Sequence, residues 1–241
     1  MTKHSGLHGL IGNLEKVKRE ELTTAQLDAN VALLRAWQAQ RLAHTYQDLL
    51  DDARYCPACE FFLEDIYGPR DFSQRDHDIE QVYTFTRRFV PDAMLRPVAL
   101  TVELHQMTQA LDHELLKVLM DQLGVTDTIT PELYAEAYRL CDNYDRRVKQ
   151  IRSIVEICER IDGIVRNPLT GPTLSVAKRP MRAAGHEELI GFLERGYTGF
   201  KHMKGSEYFR SLIQTRELNL LDRMYAGEAN PFGLPAPSPV R

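Results

Sequence analysis

Apolar residues return every three or four positions along most of this chain, the spacing that places them on one face of an α-helix. The longest run follows Thr130-Pro131 and comprises Leu133, Ala137, Leu140, Tyr144, Val148, Ile151, Val155, Cys158, Ile161 and Val165. Thr130 is a suitable N-cap, and Pro131 fits the first helical position, where its missing N–H costs nothing. The pattern predicts one helix on the order of 50 Å long. Asn167-Pro168 and Gly171-Pro172 should end it. A second stripe contains Leu27, Val31, Leu34, Leu42, Tyr46, Leu49 and Ala53, with Gln38 in its gap. Thr23 and Gln26 open it at capping-box spacing. It should stop before Pro57, because the residue preceding proline avoids α geometry.

Shorter elements fill the rest. A helix over 57–67 is broken by Gly68-Pro69, and Ser73 with Asp76 can cap another running to about Phe89. Pro91 opens a long segment with Leu100, Leu104, Met107, Leu111, Leu115 and Val118 on its buried face, and Gly124 ends it. Pro97 should sit in its first turns or kink it. Beyond the Asn167–Pro172 connector come a short helix, one from Glu187 to about Met203, and one from Ser206 to Tyr225. Period-two alternation and hairpin turns are missing, as is any repeat of fixed period. The expectation is an all-α fold, a single domain of about seven or eight helices over 23–226, with long antiparallel members in a bundle-like arrangement. Residues 1–22 form an amphipathic segment through Leu7, Leu10, Ile11, Leu14 and Val17. It reads better as a helix docked on the body than as a membrane-surface element. Residues 227–241 form a Pro-rich tail with little to bury, read as disordered or as a strap over the surface.

Composition narrows the function classes. The 241 residues are enough for a substantial core. Thirty basic residues against 34 acidic ones give a net charge of -4, without the basic stripe of a nucleic-acid binder. No apolar run reaches the ~18 residues of a transmembrane span. Met1 to Asn13 lacks the features of a secretory signal. Four cysteines in a chain of this length do not make a disulfide scaffold. The expected compartment is the cytoplasm, with thiols reduced.

One segment stands apart. Tyr55 to Asp78 mixes aromatics, acids and arginines more densely than any other stretch. Phe61, Phe62, Leu63, Ile66 and Tyr67 span too wide an apolar arc for a solvent-facing helix, so that helix should be largely enclosed. Glu60 and Glu64 share a face. Phe61-Phe62-Leu63-Glu64-Asp65-Ile66-Tyr67 resembles the signature of uncharacterised bacterial proteins with a Phe-Phe-Leu-Glu-Glu-Leu-Tyr (FFLEELY-type) motif, from which Asp65 and Ile66 depart conservatively. The resemblance implies a helical bacterial protein and carries over no catalytic residue. Structurally, the segment reads as a buried helix closed by a Gly-Pro turn, its Asp/Arg pairs satisfying one another. Functionally, it reads as a polar site in an apolar cleft built from Glu60, Glu64, Tyr67, Asp71, Arg75 and Asp76, with His105 as the best lone histidine.

Familiar chemistries find little purchase. Cys56-Pro57-Ala58-Cys59 has redox spacing, but it lacks the βαβ setting that normally presents it. It reads more simply as a pair of small core residues. Cys141 and Cys158 lie about 25 Å apart along one helix and cannot join it at one metal. Glu-x-x-His pairs for a di-iron site are absent. His105 and Asp112 share a face, but about 10 Å of helix separates them. Nucleophile-elbow and phosphate-loop motifs are also missing. Arg146, Arg147, Lys149 and Arg152 are interleaved with acids and read as a solvated or salt-bridged face. The Lys178-Arg179-Pro180 and Arg182 cluster is a weak anion candidate. The reading that results is a cytosolic bacterial binding or interaction protein without a catalytic motif. It would engage a protein partner or an apolar small molecule, and not nucleic acid. Its cofactor is unknown, and homodimer formation is left open. The alternative is a metal- or haem-dependent enzyme on a ferritin-like or haem-oxygenase-like helical scaffold, a reading that rests on fold analogy alone.

Overall fold

The computed structural model of the chain describes residues 29–66 and 92–234. Its regular elements there are all helical: α1 (Ala29–Thr45), α2 (Gln47–Leu50), α3 (Cys56–Phe61), α4 (Asp92–Lys117), α5 (Pro131–Cys141), α6 (Tyr144–Arg166), α7 (Thr170–Ala183), α8 (Glu187–Met203) and α9 (Glu207–Tyr225). Two π-helical turns interrupt the pattern, π1 (Phe62–Ile66) after α3 and π2 (Val118–Gln122) after α4. No strand occurs among the described residues, and the all-α expectation stands. The capping pairs Thr23/Gln26 and Ser73/Asp76, the N-terminal stripe Leu7–Val17 and the Gly68-Pro69 turn lie outside the described residues.

Local signals fix several ends where expected. Thr130 caps α5, its Oγ accepting from the Leu133 N–H at 3.3 Å, with Pro131 in the first turn. Gly124 takes the left-handed φ of +67° that closes π2. α8 and α9 have the expected extents. α7 differs: it starts inside the connector, because Pro172 in a first turn needs no N–H partner.

Two long helices are broken. The stripe expected to run past Ala53 stops at Thr45, where Tyr46 leaves helical geometry at φ −114° and ψ 22°. The 130–165 run breaks at Asp142, which adopts φ 47° and ψ 42°. The two pieces present different faces to the core. Leu140, read as part of one stripe, is 45% exposed, whereas Tyr134 and Tyr138 are buried in its place. Tertiary partners hold the break: the Asn143 N–H donates to Tyr225 Oη at 3.1 Å, and Asn143 Nδ2 donates to Glu114 at 2.9 Å.

Two apolar clusters form the interior. One gathers Leu34 and Trp37 of α1, Leu115 of α4, Leu119 of π2, Tyr134 and Tyr138 of α5, and Leu220, Leu221 and Met224 of α9. The other gathers Tyr46, Tyr55, Ala58 and Cys59 with Cys158 of α6, Phe200 and Met203 of α8, and Phe209 of α9. α6 and α9 pack along each other and contribute to both. α3 lies against α8, where Gly199 lets the two backbones approach: a Cβ there would sit 3.0 Å from the Pro57 carbonyl oxygen. The start of the tail is also part of the interior, although it reads in sequence as having little to bury. Pro231 and Phe232 are buried, and the Phe232 ring meets Trp37 and Tyr134 edge-on at 5.4 and 5.8 Å.

Candidate functional site

The seam between the two clusters holds a cavity of about 110 Å³. Both clusters line it. Tyr134, Tyr138, Ile151 and Leu221 come from one side, and Tyr46, Cys59 and Phe209 from the other. The irregular backbone of π1 delivers Phe62 and Leu63 to its wall. Such π turns recur at functional sites because they re-aim side chains that a regular helix would direct elsewhere.

A few polar groups converge on this mostly apolar space. On one side Arg41 donates to Glu217 at 2.6 Å, and Tyr46 Oη donates to the same carboxylate oxygen at 2.8 Å. This pairing holds the Arg41 guanidinium firmly protonated despite its burial. On the other side Gln38 donates to Asp112 at 3.1 Å and to Tyr134 Oη at 3.4 Å, and the Tyr134 and Tyr138 hydroxyls meet at 3.1 Å. Arg147, 3% exposed, donates to the Leu111 carbonyl at 3.1 Å and to Gln150 Oε1 at 3.2 Å. Gln150 in turn donates to Thr108. The Arg147 guanidinium also lies 4.4 Å from the centroid of the Tyr138 ring. Among the described residues, the carboxylate it pairs with is that of Asp112, 3.8 Å away. Burial pushes the Asp112 carboxyl above its ordinary value, against Arg147, the Gln38 hydrogen bond, Arg35 and His105. Burial likewise raises the Tyr134 hydroxyl. The Nε–H groups of Arg41 and Arg147 are buried without a hydrogen-bond partner.

The residues singled out from sequence fall differently. Glu60 and Glu64 are exposed and do not line this cavity, while Tyr67, Asp71, Arg75 and Asp76 lie outside the described residues. His105 is half-buried on α4, near enough for its charge to be felt by Asp112. Among the described residues of the aromatic segment, the buried acid is Asp65. It takes a two-point hydrogen bond from Arg195, Nε at 2.8 Å and Nη2 at 2.5 Å, tying π1 to α8. Neither cysteine of the Cys-x-x-Cys is activated. Burial raises both thiols, with Glu60 adding to the effect at Cys56, and Cys59 reaches about 12. Lys178 and Arg182 are engaged by Glu194. Among the described residues no group of three or more His, Cys, Asp or Glu side chains is arranged to hold a metal ion.

The sequence does not single out Arg41, Asp112, Arg147, Gln150 and Glu217 as a site, and it reads the run holding Arg147 as a solvated or salt-bridged face, whereas Arg147 is buried. Two signals in the sequence bear on this cavity, at Gln38 and Arg147. Gln38 interrupts the apolar stripe between Leu34 and Leu42 at four-residue steps. Arg147 stands four residues before the buried Ile151 and so shares its face.

A family model described as Domain of unknown function (DUF8198) matches residues 18–231. The chain belongs to the DUF8198 family. That match spans the cavity lining from Gln38 to Met224 and leaves Phe232 just beyond it. No curated protein and no solved structure matches the chain. No helix among the described residues of this DUF8198 protein is long and apolar enough to cross a membrane.

Proposed function

We propose that this DUF8198 protein is a cytosolic bacterial binding protein for a small molecule, which it holds in the cavity between its two apolar clusters. The observation that carries the reading is the composition of that cavity. Apolar walls surround a few convergent polar groups, and two buried arginines each keep an unspent donor. Ligand sites in helical proteins share this character, while catalysis also needs a nucleophile or a poised base. Cys59 and Tyr134 are held protonated by burial. The likeness of Phe61–Tyr67 to the FFLEELY-type signature supports a bacterial source, and four free cysteines suit a reducing compartment. Among the described residues no comparable observation favours a metal- or haem-dependent enzyme.

Filling the cavity tests the reading. Ile154→Phe places extra carbon atoms in the space that a ligand would occupy. Native mass spectrometry of protein taken gently from its producing cells should show a retained small molecule on the wild type and none on the folded variant. Equal retention by both would place the ligand elsewhere, and a bare wild type that no small molecule stabilises would overturn the proposal.

A further inference from the structure

The two arginines of the cavity are not equivalent. Arg41 is neutralised by a carboxylate at hydrogen-bond distance. Arg147 is the more deeply buried, yet both its hydrogen-bond acceptors, a backbone carbonyl and a glutamine oxygen, are neutral. The gap of 3.8 Å to Asp112 is too long for a hydrogen bond, and Arg147 Nε–H donates to nothing. A buried cation is retained when an anion compensates it, and arginine's planar fork suits a carboxylate in particular. Asp112 compensates it poorly: it stands off, and burial disfavours its charged form.

The same cavity that Arg147 lines is otherwise largely apolar, with Ile151, Ile154, Leu63 and Phe62 contributing to its wall. The volume limits the occupant. A cavity of roughly 150 Å³ accommodates the six carbons of benzene, so about 110 Å³ leaves room for an apolar body of about four carbons. The geometry points to a short amphiphilic monocarboxylate as the ligand, its carboxylate received by the Arg147 guanidinium and its hydrocarbon body lying against Phe62, Leu63 and Ile154. This assignment rests on the small-molecule reading above and names the chemical class of its ligand.

Calorimetric titration of the full chain with 3-methylbutanoate, 3-methylbutan-1-ol and 3-methylbutanamide tests it, since the three share one carbon skeleton and differ in charge. The carboxylate should bind at least tenfold more tightly than either neutral analogue. Arg147→Met should erase that preference, so that the three compounds bind the variant within about twofold of one another. A second measurement needs no variant. The carboxyl carbon of 13C-labelled 3-methylbutanoate, followed by NMR in complex with wild-type protein, should titrate at lower pH than the free acid. Neutral analogues binding as tightly as the carboxylate, or a bound carboxyl titrating as in water or higher, would overturn the carboxylate assignment and leave the small-molecule reading standing. If none of the three binds and xenon under pressure leaves the lining methyl resonances unmoved, the carboxylate assignment and the small-molecule reading both fall.

Discussion

Asp112 receives one hydrogen bond from Gln38, stands 3.8 Å from Arg147, and is pushed upward mainly by burial. That has a defined consequence for stability. An acid whose native pKa lies above its unfolded value binds more protons folded than unfolded between the two values. Its contribution to stability is therefore greatest below its ordinary value of 3.8 and falls as pH rises through the native one. Glu114 and Asp48, held low by hydrogen bonds from Arg146 and Arg216, give the opposite slope. Comparison with Asp112→Asn cancels their effect, because the amide oxygen still accepts from Gln38 but cannot titrate. Urea unfolding from pH 4 to 7 should show wild type losing stability relative to the variant, and parallel curves would mean that Asp112 ionises as it does in water. The thiols give an independent check on burial. Cys59 and Cys158 are both raised to about 12, so at pH 8 neither should react with a disulfide reagent until the chain unfolds. Prompt modification of Cys59 in native protein would contradict its burial.

At the scale of elements, α3 and α8 meet at two glycines with different neighbours. At Gly199 a Cβ would press on the backbone of Pro57 and Ala58, and at Gly196 on the Phe61 ring. Backbone cannot step aside as a side chain can, so Gly199→Ala should cost about 1–3 kcal/mol. Gly163, inside α6, has open space around its would-be Cβ. Gly163→Ala should be neutral or stabilise by about 0.5–1 kcal/mol through helix propensity alone. Thermal unfolding of the pair checks both signs, and a tolerated Gly199→Ala would mean that α3 does not lie where described. The same contrast between local and distant causes explains what could be read beforehand. Thr130-Pro131 and the extents of α8 and α9 were legible because capping and periodicity act over a few residues. The breaks at Tyr46 and Asp142 were not. Tyr46 is held by Glu217, 171 positions away, and Asn143 by Tyr225 and Glu114. Arg147 was legible only in part: its four-residue spacing from Ile151 puts it on the apolar face, but in a run with Arg146 and Lys149 its charge looks like theirs, and packing is what turns it inward.

Over the whole molecule, the cavity exists because two apolar clusters meet along α6 and α9 without closing completely, and the chain's last described turn helps to seal one of them. Arg223 holds that turn through Glu228 at 2.6 Å and the Asn230 carbonyl at 3.2 Å, and Asn230 Nδ2 donates to the Leu234 carbonyl at 2.9 Å. Phe232 is the part that matters energetically. Its ring closes an aromatic trio in which Trp37 and Tyr134 stack at 3.9 Å, and it also lines the cavity. Truncating a buried phenylalanine removes its transfer energy and leaves a void, so Phe232→Ala should destabilise the fold by about 3–5 kcal/mol, and Phe232→Leu by distinctly less. The chain's single tryptophan reports the same event. With Phe232 gone, water reaches Trp37 and the emission of the folded variant should shift to the red. A variant as stable as wild type with unchanged emission would show that the tail does not pack on Trp37 in solution, and the cavity would then lose Phe232 from its wall.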